Sequence, residues 1–153
     1  MSPPQEPLGL LIAAARRGLK MAVLRHARHL QLTPGQFWFL YAARDLPGAT
    51  LGELARRQRL DAPTASRVAV ALEERGYLRV QPDPDDRRAL RIALTAPGAK
   101  LVERIEPIAT AVRAASVQGM SQREQEMLRA LLRKLIGNLE AFAEEAPAHR
   151  VTG

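Results

Sequence analysis

Apolar residues recur every three or four positions through most of this chain, and in one short region they switch to every second position. Leu8, Leu11, Ile12, Ala15, Leu19, Ala22, Val23, His26 and Leu30 trace one stripe, which predicts a long first helix. The same spacing predicts helices over 34–45, ended by Leu46-Pro47-Gly48, over 51–58, and over 62–75, stopped by Gly76. Leu101, Ile105, Ile108, Ala109, Val112 and Ala115 mark a fifth helix; Leu128, Leu131, Leu132, Leu135, Leu139 and Phe142 mark a sixth. The tail from Glu144 is polar, contains Pro147 and is expected to fray.

Helix starts are written as capping boxes. Thr33-Pro34-Gly35-Gln36, Thr50-Leu51-Gly52-Glu53 and Ser121-Gln122-Arg123-Glu124 each place a hydroxyl three residues before Gln or Glu. The hydroxyl accepts from an otherwise unpaired backbone N–H while the longer side chain reaches back. Pro34 sits where a first-turn proline is tolerated, and Asp61 and Thr95 are further cap candidates. The exception to helical spacing lies between them. YLRVQ, residues 77–81, alternates, with Leu78 and Val80 on one side; residues 90–94 alternate likewise. The intervening PDPDDRRA is too rich in Asp and Pro for a strand interior. A two-stranded hairpin with a polar tip is expected, packed by its apolar face on neighbouring helices. The fold class is therefore mainly α with one small β-hairpin.

Composition narrows the class. With 153 residues, 46% hydrophobic and 25% charged, the chain is sized and balanced for one domain with its own core. Aromatics are only 4%, so Leu, Ala, Val and Ile must fill that core. The absence of cysteine excludes disulfide scaffolds and thiolate metal sites. No apolar run approaches the roughly 20 residues needed to span a bilayer, and MSPPQEPLGLL lacks the basic start of a secretory signal. A cytoplasmic protein is the expectation. The net charge of +7 and pI near 10.9 favour a polyanionic partner. Residues 1–49, 50–95 and 96–153 contribute +4, +2 and +1, so placement of the cations matters more than their total.

Placement is informative over 51–75. Two short helices joined at Arg59-Leu60-Asp61 have helix-turn-helix spacing. Leu51, Leu54 and Ala55 can pack against Val68, Val70, Ala71 and Leu72. That leaves Pro63, Thr64, Ser66 and Arg67 outward at the start of the second helix. A recognition helix needs this distribution, since arginine can bridge guanine and hydroxyls can reach phosphates or bases.

A helix-turn-helix followed by a hairpin is a winged helix. TLGELARRQRLDAPTASRVAVALEERGYLRVQPDPDDRRALRIALT resembles the DNA-binding core of MarR-family transcriptional regulators. That family's wing reads D-x-R, three residues, L-x-L-T; here Asp86, Arg88, Ile92, Leu94 and Thr95 stand there, Ile92 replacing the first Leu. Leu72-Glu73-x-x-Gly76 also fits, and a less specific likeness extends over 8–145. The resemblance implies a single MarR-like domain over 1–153. Its DNA-binding lobe would cover 34–95, and residues 8–30 and 96–145 would form dimerisation helices. It also implies a homodimer on a pseudo-palindromic stretch of double-stranded DNA, most often as a repressor. The leucine stripes of the first, fifth and sixth helices agree, because a small lobe cannot bury them and a second copy can.

In this reading Arg87 and Arg88 at the wing tip face the narrow minor groove, where negative potential is strongest. The sequence does not choose between them. The family pattern implies that Asp86 orients an arginine by a charge-assisted hydrogen bond; the plainer alternative is that Asp86 and Arg88 tie the tip together. Family members also bind small aromatic or phenolic anions between the dimerisation helices and the winged helix. Trp38 and Tyr41 are candidates to line such a cleft, with Arg25, His26 or Arg28 supplying charge, while Phe37 reads as core. His26 and His29 lie three apart, but nothing completes a metal site. No nucleophile–base pair, phosphate loop or acid pair appears, so neither an enzyme nor a cofactor is expected. The rival reading is a winged helix used for protein–protein contact, without a DNA target.

Overall fold

The computed structural model describes residues 5–146. The tail from Pro147, with His149, and the first four residues lie outside them. Its elements are α1 (Leu8–His26), a 3-10 turn (Arg28–Leu30), α2 (Pro34–Asp45), α3 (Leu51–Gln58), α4 (Ala62–Glu74), β1 (Leu78–Pro82), β2 (Leu90–Leu94), α5 (Ala96–Ser116) and α6 (Gln122–Glu144). The chain divides into one compact unit up to Ser116 and a second from Val117.

The first unit is built around Val23, Phe37, Phe39, Leu40, Leu54, Leu72, Leu78 and Ile105, all fully buried. Its helix starts follow the predicted chemistry. Thr33 Oγ1 accepts the Gln36 N–H at 3.1 Å while Gln36 Oε1 accepts the Thr33 N–H at 3.1 Å. Thr50 and Glu53 do the same at 3.2 and 2.8 Å. Each box satisfies two N–H groups that a helix start otherwise leaves to solvent. β1 and β2 pair antiparallel, Leu78 opposite Leu94 through Pro82 opposite Leu90. The hairpin is hooked to the α2–α3 loop, since the Ile92 N–H donates to the Ala49 carbonyl at 2.9 Å. Leu78 and Ile92 turn inward to the core.

Three expectations are corrected. α1 ends at His26, and Leu30 belongs to the 3-10 turn that follows. Spacing alone cannot separate these, because Ala27 and Leu30 are both buried by the turn. Gln31 then adopts a left-handed φ of 52° and its carbonyl accepts Arg75 Nη1 at 2.8 Å, which redirects the chain into α2. Val70 does not pack on α3 but is 49% exposed; Ala65, Ala69 and Leu72 form the inner stripe of α4, with Val68 beside it. Leu90, expected on the buried side of the hairpin, is exposed at the end of β2 nearest the tip. Of α1, only Val23 is buried, and Leu8, Leu10, Leu11 and Leu19 are exposed.

The junction of α4, β1 and α5 is held by a cluster of hydrogen bonds around Thr95. Thr95 Oγ1 donates to the Gly76 carbonyl at 2.5 Å and accepts the Gly98 N–H at 3.1 Å. The Thr95 N–H donates to the Tyr77 carbonyl at 3.2 Å. Gly76, at φ 78°, makes the left-handed exit from α4 that glycine allows at little cost.

The second unit is α6 and its lead-in. Ser121 and Glu124 form the third capping box, at 3.2 and 2.7 Å. No residue of α6 is buried, and Met127, Leu128, Leu131, Leu132, Leu139 and Phe142 are exposed.

Candidate nucleic-acid interface

The α3–α4 turn closes through Arg59, at a left-handed φ of 51°, and the Leu60 N–H, which donates to the Ala55 carbonyl at 2.9 Å. Asp61 then starts α4 by accepting the Thr64 N–H at 2.7 Å. Hydrogen bonds from Thr64, its side chain first and its amide next, hold the Asp61 carboxyl below the ordinary aspartate range. Pro63, Ser66 and Arg67 are exposed and Thr64 is half-buried, as the sequence places them. Arg67 Nη2 donates to Thr64 Oγ1 at 3.2 Å, so the guanidinium is laid towards the start of the helix.

The wing is organised by a residue that sequence reasoning passed over. Asp83 is 6% exposed. Its Oδ1 accepts the N–H groups of Asp85 at 2.7 Å and Asp86 at 3.1 Å, and its Oδ2 accepts Arg91 Nε at 2.6 Å. Arg91 also donates Nη1 to the Gly48 carbonyl at 3.1 Å. One buried carboxylate thus folds the tip and fastens the wing to the α2–α3 loop. The Asp85 N–H, ahead of the Asp86 N–H and Arg91, lowers the Asp83 pKa against the opposing effect of burial. A clue was available, since Asp followed by Pro and two more acids is an Asx-turn pattern. Asp86 orders the tip: its Oδ1 accepts the Arg88 backbone N–H at 3.0 Å, and among the described residues no arginine side chain donates to it.

A depressed carboxyl pKa contributes stability that is present above the unfolded value and lost as pH falls through the folded value. Asp83→Asn is therefore expected to melt earlier than wild type at pH 7. The gap should close below the ordinary aspartate range, where the wild-type carboxyl is also protonated. Thermal melts from pH 7 to pH 3 test this; a gap that persisted unchanged into acid would assign the loss to packing and not to charge.

Arg87 and Arg88 are exposed, and among the described residues neither guanidinium makes a hydrogen bond or ion pair. Arg88 and the first turn of α4, through Ala62 and Ala65, line one notch of about 350 Å³. The fold therefore brings the wing and the first turn of α4 together.

Trp38 and Tyr41 form a second cluster. Their rings stack edge to face at 6.0 Å, and Phe37 meets Trp38 at 5.0 Å. Phe37 is core, as expected, while Tyr41 is 4% exposed and Trp38 half-buried. Arg113 lies 4.7 Å above the Tyr41 ring and 5.8 Å from that of Trp38, and Arg44 lies 4.3 Å from Tyr41. The Tyr41 hydroxyl donates to Glu106 Oε1 at 3.3 Å and accepts from Arg113 Nη1 at 3.3 Å; Arg44 pairs with Glu106 and Asp45. Arg44, Leu94, Val102 and Glu106 border a concavity of about 410 Å³ beside this cluster. The charge next to the aromatics thus comes from Arg44 and Arg113. His26 and Arg28 are exposed, and neither makes a hydrogen bond or ring contact with Trp38 or Tyr41. Among the described residues no group of three His, Cys, Asp or Glu could hold a metal, and no helix is long and apolar enough to cross a membrane.

Comparison with known proteins agrees with this geometry. A family model described as the MarR family matches residues 30–89. The HTH-type transcriptional repressor NicR of Pseudomonas putida is 30% identical over 135 residues, covering 88% of this chain and 85% of that protein. BpsR of Bordetella bronchiseptica, solved in work on the regulation of its DNA binding by 6-hydroxynicotinic acid, superposes with a TM-score of 0.75. It is 29% identical, and the match covers 88% of this chain and 96% of that one. A mutant MarR from E. coli complexed with operator DNA gives a TM-score of 0.73 at 25% identity, covering 84% of this chain and 93% of that one.

Proposed function

The chain belongs to the MarR family of transcription regulators, and from that premise we propose that it binds a pseudo-palindromic operator as a homodimer and releases it when a small aromatic acid binds. The observation that carries the DNA reading is the shared notch. It sets Arg88 of the wing beside the first turn of α4, where Pro63, Thr64, Ser66 and Arg67 are presented. α4 enters the major groove, Arg67 and the two hydroxyls meet bases or phosphates, and Arg87 and Arg88 reach the flanking minor groove. Asp86 serves this interface by shaping the turn that projects Arg88.

Residues 34–95 form the DNA-binding lobe of the single domain, and 8–30 and 96–145 supply the dimer contacts. Support comes from the exposed leucines of α1 and, separately, of α6. Such apolar surface is too extensive for a lone soluble copy, and a two-fold partner covers it. The effector class is supported by the aromatic pair with two cations at hand, Trp38 and Tyr41 with Arg113 and Arg44. A hydroxylated aromatic acid regulates the DNA binding of the related BpsR. The regulator works in the cytoplasm, and repression is favoured by the relative NicR.

A gel shift against the DNA upstream of the protein's own coding sequence tests the reading. A specific, salt-sensitive complex that dissociates on adding aromatic acids is expected, with thermal stabilisation by the same acids. Absence of any specific complex would hand the winged helix to the protein–protein alternative.

A further inference from the structure

We propose that Glu106, on α5, is a built-in competitor of the effector: its carboxylate holds the groups that an aromatic acid uses, and binding exchanges one carboxylate for the other. This rests on the effector reading above. Glu106 reaches α2 through both oxygens. Oε1 accepts the Tyr41 hydroxyl at 3.3 Å, and Oε2 pairs with Arg44 Nη1. Arg113 donates to the same hydroxyl at 3.3 Å and, among the described residues, has no carboxylate partner. A carboxylate is thus already seated where a hydroxyl and one guanidinium converge, with a second guanidinium beside them.

Arg44 is held so that the seat outlasts Glu106. Its Nε and Nη2 both donate to Asp45 Oδ1, at 3.0 and 2.8 Å, which leaves Nη1 for Glu106. Glu106 itself is easily released. Its side chain is 43% exposed and that of Arg44 36%, and an ion pair so open to water contributes little. The adjoining concavity of about 410 Å³ offers Leu94, Ala99 and Val102 to an aromatic ring, and its charged lining is Arg44, Glu103 and Glu106. An acid bound there with Glu106 in place sets like charges side by side, which is unfavourable. With Glu106 turned out to solvent, the acid takes Arg44 Nη1 and the Tyr41 hydroxyl, and the charge at the seat is unchanged. A neutral analogue has no charge with which to replace Glu106.

Calorimetric titration of the full chain with benzoic, 4-hydroxybenzoic and 6-hydroxynicotinic acids, and with their carboxamides, tests this. The proteins compared are wild type, Glu106→Gln, Glu106→Ala and Asp45→Asn. Both Glu106 variants are expected to bind at least one of the acids roughly fivefold more tightly than wild type, with the amides unchanged. Asp45→Asn removes a charge from the same arginine but loosens the seat, so it should not tighten the acids. Acid binding by the Glu106 variants alone would also support the exchange. Unchanged or weaker acid binding by both Glu106 variants, with wild type binding, would overturn it and leave the effector reading standing. Equal tightening by Asp45→Asn, or equal tightening of the amides, would reduce the effect to net charge or to space and overturn it as well. No acid bound by any of the four proteins would remove both readings.

Discussion

Arg88→Ala is expected to weaken operator binding on the order of 100-fold and to flatten its salt dependence. A homodimer loses two arginines, one per wing. If each makes a charge-assisted contact worth about 1.5 kcal/mol, their joint loss is about 3 kcal/mol, or two decades in affinity. Each neutralised phosphate contributes about 0.9 to the slope of log affinity against log salt, so the slope should fall by about 1.8. The fold should be untouched, because Arg88 is exposed and contributes to the tip only its backbone N–H, which alanine retains. Fluorescence anisotropy at several salt concentrations reads both quantities. Wild-type affinity with a wild-type slope would place the wing off the DNA. The same measurement on Arg87→Ala decides which arginine enters the groove.

The other large effect concerns stability. Gly98→Ala is expected to cost about 3 kcal/mol, which for a chain of this length lowers the melting temperature by about 6–12 °C. Gly98 is buried at the start of α5. A Cβ there would overlap the Tyr77 carbonyl oxygen and lie 2.9 Å from its carbon. Neither side can retreat cheaply. The Tyr77 carbonyl accepts the Thr95 N–H, the Tyr77 N–H donates to Leu72 at 3.0 Å, and Thr95 is bonded to both Gly76 and Gly98. Gly35 is the matched control. It is also in a first helical turn, but its added Cβ meets nothing nearer than Val68 Cγ2 at 3.8 Å. Alanine there should be neutral or mildly stabilising, because it lowers the entropy of the unfolded chain. Equal melting curves for the two substitutions would mean that the corner yields more easily than its hydrogen bonds imply.

Local chemistry explains what could be read in advance. α2 and α3 run over the predicted residues because their starts are fixed by contacts three residues apart, Thr33 with Gln36 and Thr50 with Glu53. α4 and β2 follow from spacing and turn residues in the same way. The misreadings come from distant partners. Arg91 sits on the outward face of an alternating strand and looks like solvent-facing charge. Its roles come from Asp83 across the tip and from Gly48, 43 residues away. Arg113 joins Tyr41 from 72 residues away, and no periodicity of α5 marks it. The left-handed exit of the 3-10 turn after α1 is held by Arg75, which donates to the Gln31 carbonyl from the far end of α4. For the interface the helix stripe exposed Pro63, Thr64, Ser66 and Arg67 in advance.

The anchoring of the wing also separates two kinds of evolutionary change. What holds the hairpin is Asp83, Arg91 and the Gly48 carbonyl, with main-chain amides of the tip. The side chains of Pro84, Asp85, Arg87 and Arg88 accept no part of that work and face outward. Substitutions at these positions can therefore change what the tip presents to a partner while the scaffold beneath stays equally stable. Under the proposed DNA reading, such a regulator can retune its wing contacts without first gathering stabilising changes elsewhere.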